Sequence, residues 1–322
     1  MKNQIVTKNR IYTIFLIILI CLTFTACGGS GSTASGGVAS GSGGSGGDGG
    51  DKSGGGTFET EYHDAAFHED SAEGDSEVQV DLSCVSEGYF GVVANSDARL
   101  KLQVFKDSET YTYDIEQGTD QIFPLQCGDG TYTIKVMKNV GGSSYYELYV
   151  TTADVKLDDP LDPYLRPNAY ADYSESSDCV KKAAEMAEES GSESDFVGKV
   201  YDYICQKVKY DYQEAKTVES GYVPDPDEVM ETGKGICFDY ASLAASMLRS
   251  QGVPTKIIFG YVAPDNLYHA WNMFYTEEKG WTTVEFSVDP GDWTRVDLTF
   301  SANGQNADFI GDGSNYQDVY QY

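Results

Sequence analysis

The chain has 322 residues, 40% of them apolar and 23% charged, which is enough to bury a core and argues against disorder throughout. Twenty-two Lys and Arg stand against 51 Asp and Glu, a formal charge of −29. A chain so acidic is repelled by a duplex or an anionic membrane surface, so nucleic-acid binding is excluded as its main task.

Met1 to Arg10 carries Lys2, Lys8 and Arg10 with no acid; the apolar run Ile11 to Phe24 follows, and then Thr25-Ala26-Cys27. A basic start, a short apolar stretch and small residues before a cut site mark a secretory signal, and a run of 14 residues is too short to span a bilayer. The end of the run resembles the bacterial lipoprotein signal, with Phe24 where that motif usually has Leu. The resemblance implies removal of residues 1–26, lipid on Cys27 and a place on the outer face of a bacterial membrane; the alternative is plain secretion with Cys27 incidental. Residues 28–56 hold 15 Gly and 7 Ser, so residues 27–57 read as a flexible tether. Losing residues 1–26 removes three positive charges and takes the net charge to −32.

Residues 58–152 alternate with period two. Val78, Val80 and Leu82 are followed by Leu100, Leu102 and Val104, then by Tyr132, Ile134 and Val136, with further β-rich runs at Tyr89–Ala94, Tyr111–Ile115 and Tyr145–Val150. Turn signals at Gly128-Asp129-Gly130 and Gly141-Gly142 separate them, which predicts a small antiparallel sandwich of six or seven strands. His63 and His68 lie in its acidic lead-in, Glu59 to Asp75, where no ligand spacing is present and a solvated, poorly ordered stretch is expected.

The proline- and acid-rich stretch that follows is a connector, placed at residues 153–168, with a third domain over 169–322. There the period changes. Cys179, Val180, Ala183, Met186 and Ala187 fit one helix face, and Phe196, Val197, Val200, Tyr201, Ile204, Cys205 and Val208 fit another, with Gly191 between. Asp225-Pro226 reads as an N-cap with proline at the first helical position, opening a short helix that stops near Gly233. Gly233 to Pro254 (GKGICFDYASLAASMLRSQGVP) then predicts a helix beginning at Cys237. A thiol there meets the unpaired N–H groups and positive dipole end that favour a thiolate, although a buried structural thiol would give the same pattern. Thr255–Val262, Tyr268–Tyr275, Gly280–Phe286 and Trp293–Phe300 read as strands, and His269, in the second, is the only histidine after His68.

The ordered segments GKGICFDYASLAASMLRSQGVPTKIIFGYV, YHAWNMFY and WTRVDLTF resemble the transglutaminase-like superfamily, a branch of the papain-like cysteine enzymes. The resemblance covers roughly Ala169 to Phe300. It implies an α+β fold, a papain-like core in which a helix headed by Cys237 packs on an antiparallel sheet, here preceded by the all-β sandwich. It implies Cys237 as nucleophile, His269 as general base and acid, and Asp297 as the orienting carboxylate, with Asp289 the alternative; it calls for no cofactor or metal. The expected activity is thioester-mediated acyl transfer or hydrolysis, on glutamine and lysine side chains or peptide bonds of protein substrates at the cell surface. The rival is a non-catalytic binding or adhesion module with a relic triad. Tyr210 and Tyr222 are candidate oxyanion donors. Cys84 with Cys127, and Cys179 with Cys205, could pair outside the cell and leave Cys237 free.

Overall fold

A computed structural model describes residues 59–276, 280–283, 285–289, 292–295, 298–302 and 315–322. The first half is built from strands β1 (Glu73–Gly74), β2 (Val78–Asp81), β3 (Tyr89–Ala94), β4 (Leu100–Lys106), β5 (Glu109–Ile115), β6 (Asp120–Pro124), β7 (Gly130–Gly141) and β8 (Ser144–Val155). They form two antiparallel sheets, ordered β1-β2-β3-β6 and β5-β4-β7-β8. Period two does what the sequence requires: Val78, Val80, Leu100, Leu102, Val104, Tyr132, Ile134 and Val136 are all buried, and their neighbours, apart from the buried Asp81, are more exposed. The β7–β8 turn uses Gly141 and Gly142 at positive φ, with the Asn139 side chain bonded to both glycines.

The lead-in from Glu59 to Asp75 departs from expectation. It is packed rather than loose, because Phe67 fills the space above Gly91 and His68 donates its backbone N–H to the buried Asp81 carboxylate (2.7 Å), with its ring Nδ1 3.0 Å from the same oxygen. After β8 the chain is held against the sandwich. Pro163 lies on Gly88 (φ +83), the Tyr164 hydroxyl donates to the Gln126 carbonyl, and Arg166 pairs with Glu87 at 2.9 Å while lying over the Tyr89 ring.

Then come α1 (Asp178–Glu188), α2 (Glu193–Lys207), β9 (Lys209–Tyr210), α3 (Glu214–Thr217), α4 (Pro226–Thr232), β10 (Lys234–Gly235), α5 (Cys237–Arg249), β11 (Thr255–Val262), β12 (Leu267–Thr276), β13 (Gly280–Thr283), β14 (Glu285–Asp289), β15 (Asp292–Arg295), α6 (Leu298–Ala302) and β16 (Tyr316–Gln321). The capping signals behave as read. Asp225 accepts from the Asp227 and Glu228 amides, Pro226 takes the first helical position, and Gly233 closes α4 in the left-handed region. Asp227 in turn caps α1, accepting from the amides of Asp178 and Cys179 at 2.9 and 2.8 Å.

Helix α5 lies on the antiparallel sheet β13-β12-β11-β16, and every residue from Phe238 to Arg249 is buried. One hydrophobic core runs from the sandwich through to this sheet, joining Tyr111, Tyr113 and Phe123 to Ala171, Phe238, Ala241, Ile257, Ala270 and Tyr322. Edge-on rings tie the seam: Tyr113 meets Phe123 at 4.9 Å and Tyr322 at 5.5 Å, and Tyr170 meets Tyr322 at 4.5 Å. A second core of α1, α2, α4 and the other side of α5 includes Phe196, Tyr201, Ile204, Tyr240 and Met247.

One expectation is corrected. The strand expected over Trp293–Phe300 is a short strand ending at Arg295 and a helix beginning at Leu298, because the apolar Leu298 turns into the second core beside α2 and α5. The five cysteines outside the first 58 residues are all free. Cys84 Sγ lies 3.8 Å from His68 Nδ1, Cys205 Sγ lies 3.8 Å from the Leu298 carbonyl, and Cys179 is the second residue of α1, its N–H donating to Asp227. Burial pushes the Cys127 thiol up to about 11.

If the seam is one core, Tyr113→Ala should cost about 3–5 kcal/mol and move a single thermal transition for both halves. Two calorimetric transitions, with only one of them shifted, would show instead that the halves fold apart.

Candidate active site

The approach to α5 is fixed by a two-residue parallel pairing, Lys209 with Lys234 and Tyr210 with Gly235. Ile236 then follows in an extended conformation (φ −95°, ψ −177°) as the residue before the helix. Its N–H donates to Asp239 Oδ2 at 2.6 Å, so the third helical residue turns back to cap the chain that enters the helix. Gly235 must be glycine here, since a Cβ would sit 2.4 Å from Asp239 Cβ. The two glycines of the motif thus do different work, Gly233 by conformation and Gly235 by space.

Cys237 is the first residue of α5 and is partly exposed, alone in a helix otherwise buried. Its amide and that of Phe238 have no acceptor among the described residues, as expected for the first turn of a helix. Tyr210 and Tyr268 flank the sulfur. Burial pushes both hydroxyls up, Tyr268 to about 12, and a charge on Cys237 adds to the push in each case. Tyr222 is occupied differently: its hydroxyl donates to Asp239 Oδ1 at 2.6 Å. The two tyrosines singled out from the sequence therefore part company, Tyr210 beside the sulfur and Tyr222 one step behind it. Asp239 is only 1% exposed, and burial pushes its carboxyl up to about 6, against the opposing donors of Tyr222 and Ile236.

His269 is buried in β12, paired across from Gly260. Alternation puts Tyr268, Ala270 and Asn272 on the face toward α5, where Asn272 Nδ2 donates to the Ala241 carbonyl (3.0 Å) and to that of Lys256 (3.2 Å). Phe238, next to Cys237, meets Phe259 at 4.9 Å, and Phe259 pairs across from Ala270. These contacts bring the N-terminal end of α5 to the stretch of β12 that carries His269. The imidazole lies nearly parallel to the Trp271 indole, centroids 6.2 Å apart, on the other face of the strand.

Asp297 and Cys27 lie outside the described residues. Asp289 pairs with Asp292 where the β14–β15 hairpin turns.

Residues 180–297 match the family model described as the transglutaminase-like superfamily. This segment is a transglutaminase-like core. It falls on α1 through β15, the part that carries Cys237 and His269. A UPF0252 protein of Methanocaldococcus jannaschii is 34% identical over 56 residues, and the match spans 16% of its length. Among solved structures, a protein proposed to be a cysteine protease from Cytophaga hutchinsonii is 15% identical at a TM-score of 0.36, over 73% of this chain and 83% of that one. Red sea bream transglutaminase is 14% identical at 0.27, over 72% and 56%, and Legionella pneumophila LapG is 18% identical at 0.27, over 44% and 76%. These three are similarities of outline and place no side chain of the transglutaminase-like core.

The raised carboxyl of Asp239 has a thermodynamic sign. Folded, it takes up a proton near pH 6, against an ordinary value of 3.8, so the folded state binds more protons in between. Its contribution to stability is full below the ordinary value and is lost as pH rises through about 6. Wild type should therefore gain up to about 3 kcal/mol on Asp239→Asn between about pH 7.5 and about pH 4. Urea denaturation of both proteins measures the difference, and a pH-independent one would mean that Asp239 titrates normally.

Proposed function

We propose that the protein is a cysteine acyltransferase or amide hydrolase in which Cys237 is the nucleophile and His269 the general base and acid. The observation that carries this reading is the position of Cys237: the single accessible residue of a buried helix, with open N–H groups at its side, at the end of α5 that packs on the stretch of β12 carrying His269, the only histidine after His68 in the sequence. Open amides and the helix dipole favour both a thiolate and the oxyanion formed when it attacks.

The steps balance simply. The Cys237 thiolate adds to an amide carbonyl, and the Cys237 N–H receives the oxyanion. On collapse, His269 gives a proton to the departing ammonia or amine and a thioester remains. A lysine amine then attacks with His269 as base and forms a new amide, or water attacks and forms a carboxylate. Asp297 is the proposed orienting acid, with Asp289 as its rival. The substrates proposed are glutamine- or lysine-bearing proteins or peptide bonds at the cell surface, with the enzyme held there by lipid on Cys27.

Incubation with a fluorescent primary amine and a glutamine-rich acceptor tests this directly. Amine incorporation identifies a transferase and ammonia release or acceptor cleavage a hydrolase; the absence of all three leaves a binding module. Cys237→Ala should abolish the signal and His269→Ala should lower it by about 10²- to 10⁴-fold. Between Asp297→Asn and Asp289→Asn, the variant with the larger loss names the third residue.

A further inference from the structure

Asp239 is buried two residues from Cys237, and the chemistry above does not use it. Both of its oxygens are clamped, Oδ2 by the Ile236 N–H and Oδ1 by the Tyr222 hydroxyl, each at 2.6 Å. The two donors come from different places. Ile236 is the residue before α5, while Tyr222 lies in the segment between α3 and α4, 17 positions from Asp239. Glu214, at the start of α3, faces the same pair, and its charge pushes up both the Asp239 carboxyl and the Tyr222 hydroxyl. Gly235 closes the remaining side, with no room for a Cβ.

This arrangement consumes one amide and spares the next. The Ile236 N–H is spoken for by Asp239, and the Cys237 N–H, one residue on, is left open. An oxyanion donor must be held in place before the charge develops, because reorganisation during the reaction forfeits its benefit. Rotation of the Gly235–Ile236 peptide would break the Asp239 bond and strand a buried carboxylate, a penalty far larger than a surface hydrogen bond imposes, and the next peptide is held in turn by the Tyr240 N–H on the Ile236 carbonyl at 3.2 Å.

We propose that Asp239 and Tyr222 are positioning residues, a clamp that fixes the Gly235–Ile236 peptide and with it the extended entry into α5, so that the Cys237 N–H on the following peptide meets the oxyanion. The clamp rests on the reading of Cys237 as nucleophile and adds two residues to it. It also makes the segment before α4 part of the catalytic apparatus, although that segment supplies no reacting group.

The test exploits a difference between two reactions of the same sulfur. Alkylation by iodoacetamide displaces iodide from a saturated carbon and develops no oxyanion, whereas amide turnover does. In the full-length protein, Tyr222→Phe and Asp239→Asn should lower kcat for amine incorporation or ammonia release by about 10- to 100-fold. KM should stay close to wild type, as should the melting temperature of Tyr222→Phe, and Cys237 alkylation should stay within about 3-fold in both variants, since removing a hydroxyl or one charge here leaves the thiol in place. A merely structural role predicts equal losses in alkylation and turnover with a lower melting temperature, and that result overturns the proposal. So does unchanged kcat in both variants of an active enzyme. A wild type that turns over no amide removes the nucleophile reading and the clamp together, and is told apart from the other failures by the wild-type measurement alone.

Discussion

Everything in the transglutaminase-like core depends on burying a helix almost completely while leaving one end open. Helix α5 is covered by the sheet on one side and by α1, α2 and α4 on the other, so that Phe238 to Arg249 are out of water. A helix so placed must satisfy its polar groups internally. Ser242 donates to the Tyr170 carbonyl, Ser246 to the Ser242 carbonyl, and the fully buried Arg249 donates to the carbonyls of Thr255, Arg166 and Tyr322. At the other end the accounting is left incomplete at Cys237, and that incompleteness is where chemistry can occur. Burial lowers the Arg249 guanidinium to about 10, and among the described residues three main-chain oxygens accept from it and no carboxylate side chain pairs with it.

The sandwich contributes to that burial from outside the matched segment. Tyr113 touches Tyr170 and Tyr322; Tyr170 in turn touches Phe238 and Phe259, which stand beside Cys237. The aromatic chain runs from a sandwich strand to the residue next to the sulfur with no break. A role for the sandwich as wall and support follows from packing alone, and a separate binding activity is not needed to explain why it is there.

Much of this was legible in the sequence, and for physical reasons. Alternation with period two marks a strand with one wet face, and the helices announced themselves by Asp225-Pro226, by Gly191 and Gly233, and by apolar positions three and four apart. What escaped was long-range. Nothing local to Tyr113 names Tyr322 as its partner, and nothing in the acidic lead-in reveals that Phe67 has a glycine to rest on. Trp293 to Phe300 has strand propensity at one end and a core-seeking Leu298 at the other, and packing decided against the longer strand. Tyr222 was named as an oxyanion donor because it is a tyrosine upstream of the cysteine; its partner, Asp239, belongs to the motif itself but reads from sequence as a helix-favouring acid.

The register of the final strand has a consequence for how the chain acquires this form. Strand β16 pairs with β11, and Tyr322 beyond it fills the gap between Tyr111, Tyr113 and Tyr170. The sandwich rings that begin the fold are thus covered by residues two hundred positions later. Contacts so distant in sequence are closed late and at high entropic cost. A ribosome or an export channel delivers the aromatic face long before its cover, so completion of the core is an event of the whole chain and not of its first half.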